Sequence, residues 1–281
     1  NDFSAKFTVR GGEHEEVLVQ LDGLELYEPF HLKDIYGGGL SIVDVAAIDG
    51  IDMLTGGFGA RYGNHMSGVF DISSLQPSGP DRSSVGLSLM NARFMTQGQY
   101  DDGRGSWLLS ARRGYLDIVL ELMDEQGFDP TYWDVLAKTE YALAPEQRLS
   151  AHVLHASDSM NAVEDEDGDV IGSRYGNSYV WLRLRSAWGP SLTSHSVASI
   201  GRVARERGGQ DYDAFYRWTG RDWEHVQRLR FEVDEQRDFL VVGLKQDWSL
   251  EVSDRQMLDW GFDARHLASE YAYRNDVFGF A

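Results

Sequence analysis

Along much of the chain apolar and polar side chains alternate with a period of two. Trp133, Val135, Ala137, Thr139, Tyr141 and Leu143 share one parity, and Asp134, Lys138 and Glu140 the other. That period belongs to strands with one apolar and one polar face. Val180, Leu182, Leu184 and Trp188 against Arg183 and Arg185 repeat it. So do Leu240, Val242, Leu244, Trp248 and Leu250 against Lys245, Asp247 and Glu251, and Leu258, Trp260, Phe262 and Ala264 against Asp259, Asp263 and Arg265. These strands run to roughly nine to fifteen residues, where about five or six is usual. A tilted strand needs about nine to eleven residues to cross a bilayer. Trp107, Trp133, Trp188 and Trp248 fall near strand ends, where an interfacial aromatic girdle would sit.

The connections alternate in length. Tight turns are predicted at 101–104, 144–147, 189–190 and 253–255, and longer polar loops at 122–131, 159–177 and 208–228. This is the arrangement of an outer-membrane barrel. The count is about nine strands, beginning with two near 84–91 and 92–100 and including an overlong one at 229–252. Before residue 75 the texture differs. Residues 1–74 are glycine-rich with short apolar bursts, predicting strands at 17–23, 51–54 and 69–72 and a short helix over 41–48. Residues 75–83 read as a linker by their proline, glycine and serine. The expected fold is mainly β: a small mixed α/β domain over 1–74, then an antiparallel transmembrane sheet over 84–281.

Composition narrows this reading. With 45 acidic and 26 basic residues the net charge is −19, which argues against nucleic-acid binding. Without cysteine there is neither a disulfide framework nor a thiolate metal site. No apolar run of about 18 residues offers a membrane helix, but barrel strands need none.

The stretch from Ile51 to Ile72 carries the most specific signal. A strand ends in Gly56-Gly57, an aromatic-glycine pair follows at Tyr62-Gly63, and Ser67-Gly68-Val69 opens the next strand. Upstream lie Arg10-Gly11-Gly12 and Leu21-Asp22-Gly23-Leu24 in matching order. These elements resemble the plug domain of TonB-dependent outer-membrane receptors. Gly57 stands where proline is usual, Ser67 where glycine is, and Asp71 where asparagine is. Residues 107–117 are similar to early barrel strands of that family.

The resemblance implies a plug seated in a ~22-stranded barrel. About nine strands cannot enclose it, so the chain reads as a piece of a longer protein. The resemblance also implies energy-coupled uptake of a scarce ligand (a siderophore, vitamin or oligosaccharide) in the outer membrane of a Gram-negative bacterium. The expected partners are TonB, through a TonB box outside this sequence, membrane lipid and the ligand. No enzymatic activity and no cofactor are expected. Turns at 10–14, 24–31 and 61–65 match the ligand-facing plug apices, making Glu13, Tyr27, Phe30, His31, Tyr62 and Asn64 candidate contacts. Their alternative role is to pack the plug on the wall. Arg10, Gly11, Asp22, Gly23, Gly56, Gly57, Tyr62, Gly63 and Gly68 would be structural. Two other functions stay open: a plug-bearing signalling or adhesion barrel that imports nothing, and a soluble carbohydrate-binding β-protein.

Residues 164–169 resemble half a calcium loop, with Asp165, Asp167 and Asp169 as weak ligands, but the glycine comes early and the closing glutamate is missing. His14, His31 and His65 fall on candidate apices, whereas His152 and His155 must face opposite sides of a strand. Gly37-Gly38-Gly39 reads as a flexible turn. Arg183, Arg185 and Arg112 are expected on the lumen face, where they could pair with plug carboxylates such as Asp22 or Asp52.

Overall fold

A computed structural model describes residues 9–11, 16–33, 39–63, 67–122, 128–164, 169–219 and 221–280. The N-terminal part is built on a four-stranded sheet. Its strands are β1 (Val17–Leu21), β2 (Leu24–Glu25), β5 (Ile48–Leu54) and β6 (Gly68–Ser74), in the order β2-β1-β6-β5. Strands β1 and β6 run parallel; the outer pairings are antiparallel. A two-stranded hairpin, β3 (Phe30–His31) with β4 (Leu40–Ser41), lies apart from it. Every residue of β1 is buried, as expected of a central strand covered on both faces.

The turn between β1 and β2 explains its sequence. Asp22 and Gly23 both take positive φ, 47° and 90°. A two-residue turn of that hand matches the twist of the flanking strands. A Cβ on Gly23 would also lie 3.1 Å from the Val197 side chain of the wall. Gly23→Val should therefore strain the turn by about 1–3 kcal/mol and push the hairpin inward. Faster proteolytic cleavage of the plug in the full-length protein is the expected result; wild-type protection would show that the turn tolerates a side chain.

The short helix expected over 41–48 shrinks to one 3₁₀ turn, Val45–Ala47, capped by Asp44. Strand pairing takes up Leu40–Ser41 and Ile48, leaving six residues between, of which three form the turn.

The rest is a nine-stranded antiparallel meander. It comprises β7 (Arg82–Leu87), β8 (Asn91–Tyr100), β9 (Gly105–Gly114), β10 (Phe128–Ala144), β11 (Gln147–Glu164), β12 (Asp169–Ala187), β13 (Leu192–Trp218), β14 (Trp223–Ser253) and β15 (Gln256–Phe280). One helix, α1 (Leu116–Leu122), sits between β9 and β10. The sheet does not close: β7 and β15 are its two edges. No described helix is long and apolar enough to cross a membrane, which says nothing of the strands.

Two expectations need correction. The polar stretches 159–177 and 208–228 are not loops. Strands β11 and β12 continue to Glu164 and from Asp169, and β13 and β14 to Trp218 and from Trp223. Ladder pairing sustains them where the period-two apolar signal has faded, since buried inward positions such as Ser173 and Asn177 are polar. The first two barrel strands are also shifted, because Ser88 caps a tight turn before Asn91.

The outer face carries Trp133, Val153, Val180, Leu182, Ile200, Val242 and Leu244, all substantially exposed. Near the tight turns Trp188, Trp248 and Trp260 stack in a row, 6.0 and 6.1 Å apart, which matches an interfacial belt. The inner face holds Arg112, Asp134, Lys138, Glu140 and His152, all buried. It is not purely polar. Leu108, Leu136, Leu154, Tyr179 and Trp181 also point inward and join Leu21, Leu26, Ile42, Val43 and Ile72 in one core. A wall covered by a plug is as dry as any other core, so its lining can be apolar.

Candidate functional site

The N-terminal domain touches the sheet from β8, where Arg93 lies 3.4 Å from Asp44, to β15, where Arg265 reaches Glu25. The sheet thus wraps around it. Among the described residues the contact is organised around three polar nodes and a cavity.

The first node is Asp22, buried at the β1–β2 turn. Its carboxylate lies 3.5 Å from Arg183 Nη1, 3.5 Å from His152 Nδ1 and 3.8 Å from Lys138 Nζ. Ser74 donates its hydroxyl to Asp22 and in turn accepts from Lys138 Nζ at 2.9 Å. His152 stacks on Trp181, centroids 4.5 Å apart. Of the expected pairings, Arg183 with Asp22 is present. Arg185 instead pairs with Glu140 of the wall at 2.9 Å, and Asp52 stands exposed on β5.

The second node is His31. Its side chain has no exposed surface, and its two ring nitrogens lie 3.3 Å from Asp134 Oδ2 and 3.1 Å from Asp158 Oδ1. Arg112 donates to the same Asp134 oxygen from Nε at 2.8 Å, and to the Ser41 carbonyl. Asp158 Oδ2 accepts the Leu32 N–H at 3.0 Å. Leu32 has φ of 55°, a region that bulky residues rarely enter. Burial alone would lower the imidazole pKa, but the hydrogen bonds to Asp134 and Asp158 outweigh it and the net shift is upward.

The third node is Arg265. Its guanidinium is clamped by Asp263 of its own strand and reaches Glu25 at 2.5 Å and the Tyr27 hydroxyl at 2.9 Å. The Tyr27 ring meets Phe239 edge-on at 5.4 Å. Burial, then the Glu25 charge, raises the Tyr27 phenol pKa. Nearby, Lys245 donates to the Arg61 carbonyl at 3.0 Å.

Between this third node and the tight-turn end lies a cavity of about 490 Å³, bounded by β1–β2, the segment 59–63 and strands β12–β15. The wall there is built for space. Along one inward row the register pairs Lys138 with His152, His152 with Trp181, Trp181 with Ser199, Ser199 with Gly243 and Gly243 with Arg265. Side chains shrink to serine and glycine where the cavity opens. Small residues in a strand often mark such an approach. The plug is therefore bonded to β9–β12 through a dry core and buried ions, and meets β13–β15 around the cavity through Val197, Phe239 and a few polar struts.

Of the predicted contacts, Tyr27 sits at the third node and His31 is enclosed at the second. Phe30 is half-buried in β3. Tyr62 is buried, and its hydroxyl donates to Asp71 at 3.2 Å. Burial raises the Asp71 carboxyl pKa against that bond. Glu13, Asn64, His14, His65, Gly12, Gly37, Gly38, Asp165 and Asp167 lie outside the described residues; Asp169 opens β12. Among the predicted structural positions, Arg10 and Gly11 form a positive-φ turn. The Arg10 guanidinium lies against Gly56, which precedes Gly57, and Gly68 packs under Val9. Gly63 ends the 3₁₀ turn Ala60–Tyr62. Among the described residues no group of three acidic or histidine side chains is placed to hold a metal. Missed from sequence were Asp134, Asp158 and Arg265 as plug partners. Parity set Asp134 and Arg265 on the polar face, but nothing marked Asp158 or which plug residue each would meet.

A glycine-jointed plug inside a curved, outwardly apolar antiparallel sheet defines a plugged outer-membrane type of barrel. Residues 1–69 match the family described as TonB-dependent Receptor Plug Domain. No curated protein sequence matches it. The siderophore receptor PirA from Acinetobacter baumannii shares its fold with a TM-score of 0.56 at 13% identity, over 96% of this chain and 52% of that one. For the ferric enterobactin receptor PfeA of Pseudomonas aeruginosa (mutant R480A, in complex with enterobactin) the values are 0.51, 13%, 99% and 55%. For the FrpB iron transporter from Neisseria meningitidis they are 0.53, 10%, 99% and 57%. The chain thus spans about half the length of the structures it matches.

Proposed function

We propose that the protein is an energy-coupled outer-membrane importer of a scarce ligand, and that an iron chelate is the class to test first. We assign residues 1–74 to the plug, the linker expected over 75–83 to 75–81, since β7 begins at Arg82, and 82–281 to the barrel, with the tight turns in the periplasm. The observation that carries the reading is the asymmetric seating of the plug: firm against β9–β12, propped off β13–β15 around a cavity that runs toward the periplasmic turns. A plug so held can swing or part on one side without exposing its dry core. Glu25, Tyr27 and Arg265 close the outer end of this route, and pulling through TonB would open it. The names of the matching structures, two siderophore or enterobactin receptors and an iron transporter, support the ligand class.

The test is uptake of radiolabelled ferric siderophores by cells carrying the full-length gene, with and without TonB. Binding should persist without TonB while accumulation falls to background. TonB-independent accumulation, or failure of every iron chelate to bind, would reject the proposal.

A further inference from the structure

We propose that His31 is a proton-dependent fastener: doubly protonated, it bridges Asp134 and Asp158 and holds the β3–β4 hairpin on the wall, and loss of one proton from this node releases the hairpin. The proposal deepens the importer reading by naming a regulation of the same plug, and it rests on that reading.

The geometry asks for two donors. Each ring nitrogen faces a carboxylate oxygen, at 3.1 and 3.3 Å. A neutral imidazole has one N–H and would turn a lone pair toward the other carboxylate. The charges agree. From the wall, β9 brings Arg112, β10 brings Asp134 and the phenol of Tyr132, whose ring lies 4.9 Å from His31, and β11 brings Asp158. From the plug, Asp44 is offset by Arg93 of β8, and Lys33 pairs with Glu28. Two carboxylates and one guanidinium leave the wall one positive charge short, and the imidazolium supplies it. Without that proton a buried carboxylate is uncompensated, an arrangement that costs several kcal/mol in known buried pairs. The fastener sits at the root of the hairpin: His31 pairs with Leu40, and Arg112 holds Ser41.

The sign follows from linkage. Docking raises the imidazole pKa, so the stabilisation is complete below the free value of about 6.5 and is lost as pH climbs through the higher docked value.

The experiment uses the full-length receptor in outer-membrane vesicles, with a nitroxide on Gly39→Cys, an exposed position beside β4. Electron paramagnetic resonance reads the label between pH 5 and 9, and only heat-modifiable, folded barrels are scored. The label should be immobilised at pH 5–6, with a mobile population rising several-fold at a midpoint above about 6.5. Asp158→Asn removes the surplus carboxylate and should flatten the profile with the label immobile. A wild-type line shape unchanged from pH 5 to 9, or Asp158→Asn keeping the wild-type midpoint, overturns the proposal. The readout needs neither ligand nor TonB, so it fails or succeeds independently of uptake.

Discussion

Asp22→Ala is expected to free the plug from the barrel wall. The substitution removes the carboxylate that faces Lys138, His152 and Arg183 and leaves the two cations, Lys138 and Arg183, buried without their plug anion. Removing one partner of a buried ionic cluster costs about 3–5 kcal/mol, because the remaining charge is stranded. At about 1.4 kcal/mol per decade that is a rise of two to three orders of magnitude in the undocked population. Limited proteolysis of the full-length protein in membranes measures it, with plug cleavage accelerated accordingly. The effect should be specific to the imbalance. Pairing Asp22→Asn with Lys138→Met, which takes out one charge of each sign, should recover much of the protection. If Asp22→Ala is cut no faster than wild type, the carboxylate does not hold the plug.

Leu182→Arg is the second large effect, and it acts on the outer side of β12, the strand that carries Arg183. Leu182 faces outward about half exposed, in a row with Ala151, Ala198 and Leu244 on neighbouring strands. An arginine near the midplane of a lipid-facing barrel wall costs about 2–4 kcal/mol. Ser199→Arg, one residue further along the neighbouring strand and pointing into the cavity, should leave the barrel as stable as before while obstructing the passage. Urea unfolding of the full-length barrel, followed by heat-modifiable electrophoresis, separates the two. Equal stability of Leu182→Arg and wild type would mean that this face does not meet lipid.

Sequence carried these faces well wherever one side of a strand met an apolar phase. Parity put Asp134, Lys138, Arg183 and Lys245 inward and Trp133, Val180, Leu182 and Val242 outward. Parity failed for two physical reasons. At the far ends of β11 and β12 buried inward positions such as Ser173 and Asn177 are polar, so those ends looked like loops. Under the plug the inner wall is dry, so Leu108, Leu136, Leu154 and Trp181 broke the alternation without breaking the strand. The plug motif located its turns, since a positive φ at Gly23 leaves a glycine in the sequence. It gave no hint that His31 would lie between two aspartates, because those residues come from strands β10 and β11, more than a hundred positions away. Pairings across such separations depend on curvature and register, which no local pattern encodes.

The β13–β14 hairpin has strands of 27 and 31 residues. At about 3.3 Å per residue the longer reaches roughly 100 Å end to end, where about ten residues suffice to cross a bilayer. On the outer-membrane placement proposed above, the remainder projects well past the lipid as a free-standing ribbon, stiffened by rungs such as Arg202 with Asp238.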